Sequence, residues 1–311
     1  MLRERPPLSV KDDRSWMLET VEKVMKESIN KLILQHGPPR LIHTIQGNVK
    51  ESLILRTSKV SEENLLIGKT KIGGRPDLPN HIHWPAWQDK PLSFIAQINL
   101  ADLPGYEFLN ILPSEGILSF FYSAEQETWG FNPKDKGSWR VIFLEDKELQ
   151  RQNYPSNFPD EGKYESCTVE FHHSITIPDL ESPYIDLGYS KSKREEIDQY
   201  INMKDRIREF FGEGNCINRF LGHPEQQQND MQIECQLVSH GLYLGDSSGY
   251  GDPKAKELSA GAKDWELLLQ IDSDDNANMM WGDVGSIYYW IKHEDLLSRN
   301  FESAWMILQC G

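Results

Sequence analysis

The 311-residue chain is 38% hydrophobic and carries 9 Trp, 11 Tyr and 12 Phe, too much apolar and aromatic content for a disordered chain. It is long enough for one large domain or two smaller ones, each with its own core. With 33 Lys and Arg against 48 Asp and Glu, the net charge of -15 repels phosphate backbones, so nucleic acid is not expected; a basic protein partner would be attracted, with simple solubility the plainer reading of the charge.

No apolar run reaches the length of a membrane span, and MLRERPPLSVKDD lacks the apolar stretch of a secretory signal. Cys167, Cys216, Cys235 and Cys310 are scattered without a CxxC pair, which argues against a disulfide framework or a zinc knuckle. A cytoplasmic protein without membrane attachment is the expectation.

In chain order, an amphipathic helix comes first. Met17, Val21, Val24, Met25, Ile29, Leu32 and Ile33 recur at three- and four-residue steps, and Gly37-Pro38-Pro39 stops the helix. Residues 1–40 therefore read as a helical appendage packed on a main body, residues 41–311. From there LIHTI, SLILRT, LSFIAQI, GILSFFY, WRVIFL, CTVEFHHSITI, IECQLV, ELLLQI, SIYYWI and AWMILQC read as strands. A second helix interrupts them at 192–214, with capping-box spacing at Ser192 and Glu195 and a stripe of Ile197, Ile201, Ile207 and Phe211. A short helix at HEDLLSRNF precedes the last strand. Strand runs with a few helices predict an α+β, mostly antiparallel fold. SFIAQIN followed by GILSFFY echoes ELLLQID followed by GSIYYW: Gln97 matches Gln270, Asn99 matches Asp272 and Gly116 matches Gly285. Two intertwined half-repeats, about 41–165 and 166–311, would explain the echo; chance similarity of aromatic hairpins is the alternative.

Four passages invite a chemical reading. GKTKIGG lacks the leading glycine of a phosphate loop, having Glu63 there, so Gly73-Gly74 with Pro76 and Pro79 reads as a stiff turn. GDSSG at 245–249 matches a nucleophile elbow at Ser247, with GLYL as the preceding strand and Asp272 and His293 following in hydrolase order; the loop-like GYGDP stands where a helix is needed. His81 and His83 could share one face of an extended segment, but no third metal ligand accompanies them. In QIDSDDNANMMWGD, Asp272, Asp274, Asn276 and Asp283 have nearly calcium-loop spacing. Ala277 stands where glycine is wanted and the flanks are strands, so a hairpin connection with self-capping acids competes with a carboxylate metal site. No cofactor is expected.

KIGGRPDLPNHIHWP, PLSFIAQINLADLP, EGILSFFY, NRFLGHPEQQQNDMQIECQL and GAKDWELLLQIDSDDNANMMWGDVGSIYYWI resemble the YwqG-like family (DUF1963), a bacterial family of unknown function. The resemblance begins near Gly68 and runs to the C-terminus. It implies a mixed α/β protein with no established reaction or cofactor. The family's motif residues fall here on Gly73, Gly74, Pro76, Leu78, Pro79, Trp84, Pro85, Gln97, Gln270, Asp272, Trp281, Gly282, Asp283 and Gly285. Asn278 replaces a glycine frequent in the family. Gln97, Gln270, Asp272, Trp281 and Asp283 are candidates for a buried polar network or the floor of a ligand cleft. A non-enzymatic ligand- or protein-binding module, of immunity or adaptor type, is the leading expectation; a Ser247 hydrolase and a metal-binding protein are the alternatives.

Overall fold

The computed structural model describes residues 13–145, 148–188 and 193–311, with side chains of the first helix from Leu18 onward. The Met17 side chain and the expected Ser192 cap lie outside the described residues. Among the described residues, six helices and fourteen strands follow in order: α1 (Asp13–His36), α2 (Ile42–Gly47), β1 (Lys50–Lys59), β2 (Lys71–Ile72), β3 (Asp77–Leu78), β4 (Ala86–Trp87), β5 (Lys90–Pro91), β6 (Ser93–Asn99), β7 (Ile117–Tyr122), β8 (Trp139–Leu144), β9 (Gln150–Arg151) and β10 (Cys167–Thr176). Then come α3 (Lys193–Phe211), β11 (Arg219–Phe220), α4 (Met231–Ser239), α5 (Ala255–Leu258), β12 (Trp265–Asp272), β13 (Ser286–Lys292), α6 (His293–Leu297) and β14 (Trp305–Gln309).

Ten strands form one antiparallel sheet in the order β14-β13-β12-β11-β1-β10-β2-β6-β7-β8. The fold is α+β, as the strand runs predicted. Strand twist curls the sheet until its ends meet. The Trp139 indole donates to the Ala304 carbonyl at 2.8 Å, and the Leu308 amide donates to the Trp129 carbonyl at 3.1 Å. Inside the curl, Phe120 of β7 meets Tyr289 of β13 at 5.1 Å between ring centroids. Alternate residues of β7 divide between two cores: Leu118, Phe120 and Tyr122 line the interior, while Ile117 and Phe121 pack outward under Leu78 and Leu92. Burial on both faces explains why the strands are almost continuously apolar rather than alternating.

The sheet has pseudo-twofold order. β1 pairs Ile54 with Arg219 of β11, and β10 pairs Thr168 with Lys71 of β2. Placing Ile54 on Thr168 also places Arg56 on Glu170, and these two lie directly opposite each other across β1 and β10. On either side the same sequence of pairings follows. Lys71 faces Gln97, which faces Ser119; Arg219 faces Gln270, which faces Tyr288. Even the irregularities agree: the register slips between Phe94 and Ala96 in one β-hairpin and between Leu267 and Leu269 in the other. The first strand of each half lies beside the second strand of the other.

Two expected strands are helices. LIHTI contributes to α2, and IECQLV forms most of α4. In α4, Met231, Gln232, Glu234, Cys235, Gln236, Leu237 and Val238 are all buried, so the segment shows no amphipathic stripe to distinguish it from a buried strand. Its start is marked instead by Asp230, whose carboxylate accepts from the Ile233 amide at 2.9 Å. α1 packs through Ile29 and Ile33 against Tyr200, Met203 and Ile207 of α3, while Val21 and Val24 are 41% and 56% exposed. On α3 the buried face is Glu196, Tyr200, Met203 and Ile207, with Ile201 half exposed; the expected stripe is rotated by about one residue. Glu196 belongs to that face because the Arg40 guanidinium donates to both its oxygens, at 3.2 and 3.0 Å.

Candidate functional site

After β2 the chain must reverse against the 164–166 backbone. Gly73 and Gly74 take φ +70° and +73°, a region open to glycine without cost. A Cβ on Gly74 would collide with the Ser166 hydroxyl. Pro76 then stiffens a strap that crosses over the outer face of the sheet, and Gln97 clasps it. The Gln97 carbonyl oxygen accepts from the Asp77 amide at 3.1 Å; its amide nitrogen donates to the Asp77 carboxylate at 2.8 Å and to the Lys69 carbonyl at 2.7 Å. Asp77 and Lys71 are both fully buried, 3.2 Å apart. Arg151 adds a second cation, its Nε donating to Asp77 at 3.0 Å, and the Gly68 amide adds a further donor at 2.9 Å. Burial pulls the Lys71 ammonium down to about 8 despite Asp77. Burial works against the charged form of Asp77 too, but Lys71, Arg151, Gly68 and Gln97 together hold it below the usual carboxylate value.

The same construction recurs after β11. KIGGRPD at 71–77 corresponds residue by residue to RFLGHPE at 219–225, as the strand pairings require. Leu221 and Gly222 take φ +60° and +82°, and the Leu221 amide donates to Leu268 as Gly73 does to Ile95. A branched residue at positive φ is strained, and the ladder bond holds it there. Gln270 accepts from the Glu225 amide at 2.9 Å, reproducing the Gln97 clasp. Gln309 extends it, accepting from the amides of Gln227 and Gln228 at 3.0 and 3.1 Å. The charges are rearranged. Arg219 turns to Glu213, with both contacts at 2.9 Å, and Glu225 meets Lys204 of α3 at 3.1 Å.

Gln97 and Gln270 are therefore buried polar residues with separate duties. Five strand steps of about 4.8 Å part β6 from β12, so the two do not share one network. Asp272 forms another node: its carboxylate accepts from the Ile217 and Ser273 amides and the Ser286 hydroxyl, each at 2.9 Å. Burial raises its pKa, against these donors. The Trp281 indole is fully buried and donates to the Asp272 carbonyl at 3.1 Å; it lies in the core and lines no cleft. Asp274 is buried as well, accepting from Thr57, Asn218 and the Asn276 amide at 2.7, 2.8 and 2.9 Å. Asn276 is exposed and donates to Thr57. Asp283 is exposed. The QIDSDDNANMMWGD loop is thus a β-hairpin connection whose inner acids receive protein donors. Asn278 takes φ +54°, and so does Gly282, whose Cβ would press on Cys310. Gly285 lets the chain pass close to the Gln309 backbone. Among the described residues, no group of three or more His, Cys, Asp or Glu is gathered as a metal site.

The hydrolase order Ser247, Asp272, His293 is not a constellation. GLYL is not a strand, and Ser247 lies in an exposed turn. Asp272 pairs with Ser286 at one end of β13, whereas His293 follows Lys292 at the other end, about 20 Å away along the strand. His293 faces Glu266 at 3.4 Å. His81 and His83 are both exposed in a bend rather than a strand. Trp84 stabilises that loop, donating to the Leu92 carbonyl at 2.8 Å and packing edge-on to Phe158 at 5.3 Å. Pro79 closes the turn by accepting from the Ile82 amide at 3.0 Å.

Gly68, Lys69, Asn99, Glu115 and Glu145 line a cleft of about 440 Å³. The second strap borders a larger one of about 660 Å³, between α3, the 179–187 segment and residues 225–229. Its acids are Asp179, Glu181, Asp205 and Glu225 and its cations Lys193 and Lys204; Leu180, Ile197 and Ile201 supply apolar wall, and Gln226 to Asn229 supply amides. Lys71, Asp77, Arg151, Lys204, Glu225 and Gln309 are site residues that the sequence patterns did not single out. The available signal was the repeat of KIGGRPD in RFLGHPE, hidden by Lys for Arg, Gly for Leu and Asp for Glu.

This architecture belongs to a family defined by sequence rather than by a known reaction. A domain of unknown function, DUF1963, matches residues 70–310, about three-quarters of the chain, and the protein is a member of that family. Comparison with curated proteins gave no match. Among the described residues, no helix is long and apolar enough to cross a membrane.

Proposed function

We propose that the protein is a non-enzymatic binding module that captures a positively charged segment of a protein partner in the cleft between α3 and the 225–229 strap. The carrying observation is the composition of that cleft among the described residues: four carboxylates against two ammonium groups, beside leucine and isoleucine walls. Lysine and arginine side chains match such a surface twice, laying aliphatic stems on apolar walls and directing their heads to acids. The chain's net charge of -15 adds long-range attraction in the same sense.

The test is titration calorimetry of the full chain with a short arginine homopeptide at low and moderate salt. Binding should weaken as salt rises and fall by about tenfold or more in the double variant Glu181→Lys, Asp205→Lys, since both side chains are exposed and face the cleft. Absence of binding, or binding indifferent to the charge reversal, overturns the proposal.

A further inference from the structure

The two halves of the sheet differ in what covers their straps. In the first, β3 of the strap is paired antiparallel by β9, with Asp77 opposite Arg151 and Leu78 opposite Gln150. The Gln152 amide donates to the Pro76 carbonyl at 3.0 Å, and Arg151 places its guanidinium on Asp77. Asp77 and Leu78 are consequently fully buried.

In the second half the corresponding residues are Pro224, Glu225 and Gln226. They have the same clasp beneath them, yet among the described residues no strand pairs with them. Among the described residues, no backbone–backbone bond engages the Pro224 carbonyl or the Gln226 amide. Glu225 and Gln226 are half-buried, and the 660 Å³ cleft opens alongside. Where the first strap has apolar Leu78, the second has Gln226, a residue suited to a solvent-facing edge. Lys204 is divided between Asp179 and Glu225, at 3.0 and 3.1 Å, and Arg208 lies 3.8 Å from the same Glu225 oxygen; both cations meet Oε1, and among the described residues no ion pair reaches Oε2, where a further donor can bind.

We infer that the second strap is a strand-addition site: an extended segment of a partner protein pairs antiparallel with Pro224–Gln226 and places an arginine or lysine opposite Glu225. The intramolecular β9 pairing is the template for that complex, down to the position of the cation. Main-chain bonds to the strap would supply affinity and the acid opposite the cation would supply selectivity. The inference rests on the basic-partner proposal and specifies how the partner is held.

The experiment uses the full chain and a synthetic peptide with the sequence of residues 148–154, ELQRQNY, with blocked ends. Amide hydrogen exchange and a binding titration are measured together. The expected result is slowed exchange at the Gln226 amide, with affinity reduced about tenfold when the peptide arginine is replaced by glutamine. That replacement is made in the ligand, so it carries no risk to folding. Gln226→Pro in the protein should abolish the protection by removing the donor. Binding without protection at Gln226 overturns strand addition while leaving charge capture, tested separately with the arginine homopeptide, intact. A peptide that fails to bind, or one whose affinity ignores its arginine, overturns it as well.

Discussion

At the scale of single residues, Asp77 does the most electrostatic work. Among the described residues it is the one carboxylate 4 Å or nearer to the fully buried Lys71 ammonium, and it also receives Arg151. Asp77→Ala leaves two cations facing each other without their counter-charge, so urea unfolding should show a loss of about 3–5 kcal/mol. Asp272 and Asp283 were indistinguishable as family residues, but they should separate cleanly. Asp272→Ala strips three donors of their acceptor and should cost on the order of 3 kcal/mol, whereas exposed Asp283→Ala should stay within about 0.5 kcal/mol in the same assay. Glu234 gives a pH signature. Burial raises its carboxyl from 4.5 to about 7, against a hydrogen bond from Tyr250, and its other oxygen has no hydrogen-bond partner among the described residues. Because the folded-state value is the higher one, its contribution is fully present below pH 4.5 and is lost as pH rises through about 7. Glu234→Gln stays neutral, so it should be more stable than the parent above pH 7, by on the order of 3 kcal/mol, with the difference vanishing in acid. Thermal melts across that range measure it; a constant difference would refute the assignment.

At the scale of elements, the turn after β2 and its counterpart after β11 fix where the straps lie. Gly74→Ala meets two obstacles, a positive φ and the Ser166 hydroxyl, and should destabilise the fold by more than about 2 kcal/mol. Ser166→Gly in the same chain should return part of that loss by removing the clash but not the backbone strain, giving a non-additive pair in denaturant titrations. The elements that sequence periodicity placed correctly are those with a distinctive run, such as SFIAQIN, ILSFFY and SIYYW. IECQLV was misplaced because a helix buried on all sides loses its polar face, the feature from which a helical period is read. The strap glutamines were legible as unusual, since amides inside an apolar sheet need partners. Their partners were not, because Gln97 and Gln270 each bind a backbone amide about twenty or more residues away, at a turn whose geometry only the paired strands define.

At the scale of the molecule, the region matched by the family begins at residue 70, yet β1 lies before it and occupies the middle of the sheet between β10 and β11. A chain starting at Thr70 should therefore be unfolded, while one starting at Pro39, which removes α1, should keep a dispersed amide NMR spectrum with a lowered melting temperature. Equal spectra from the two would contradict the placement of β1. Half of the echo, from Gln97 to Gly116 and from Gln270 to Gly285, was visible in the sequence because both hairpins keep the same turn and amide positions. Intertwined halves were an expectation from that echo, but which strands exchange was not legible, since nothing in β1 names β10 as its neighbour.

That crossing has a consequence for how the protein comes into being. β1 pairs Lys50 with Thr176 and Lys59 with Cys167, so its longest ladder awaits residues more than a hundred positions later. At ribosomal speeds of about 5–20 residues per second, Leu53, Ile54 and Leu55 emerge and wait on the order of ten seconds before a partner strand exists. Closing so long a loop is slow even after synthesis. Refolding from denaturant should thus lag well behind that of helical proteins of similar size, and the nascent chain should be a client for factors that shelter unpaired apolar strands.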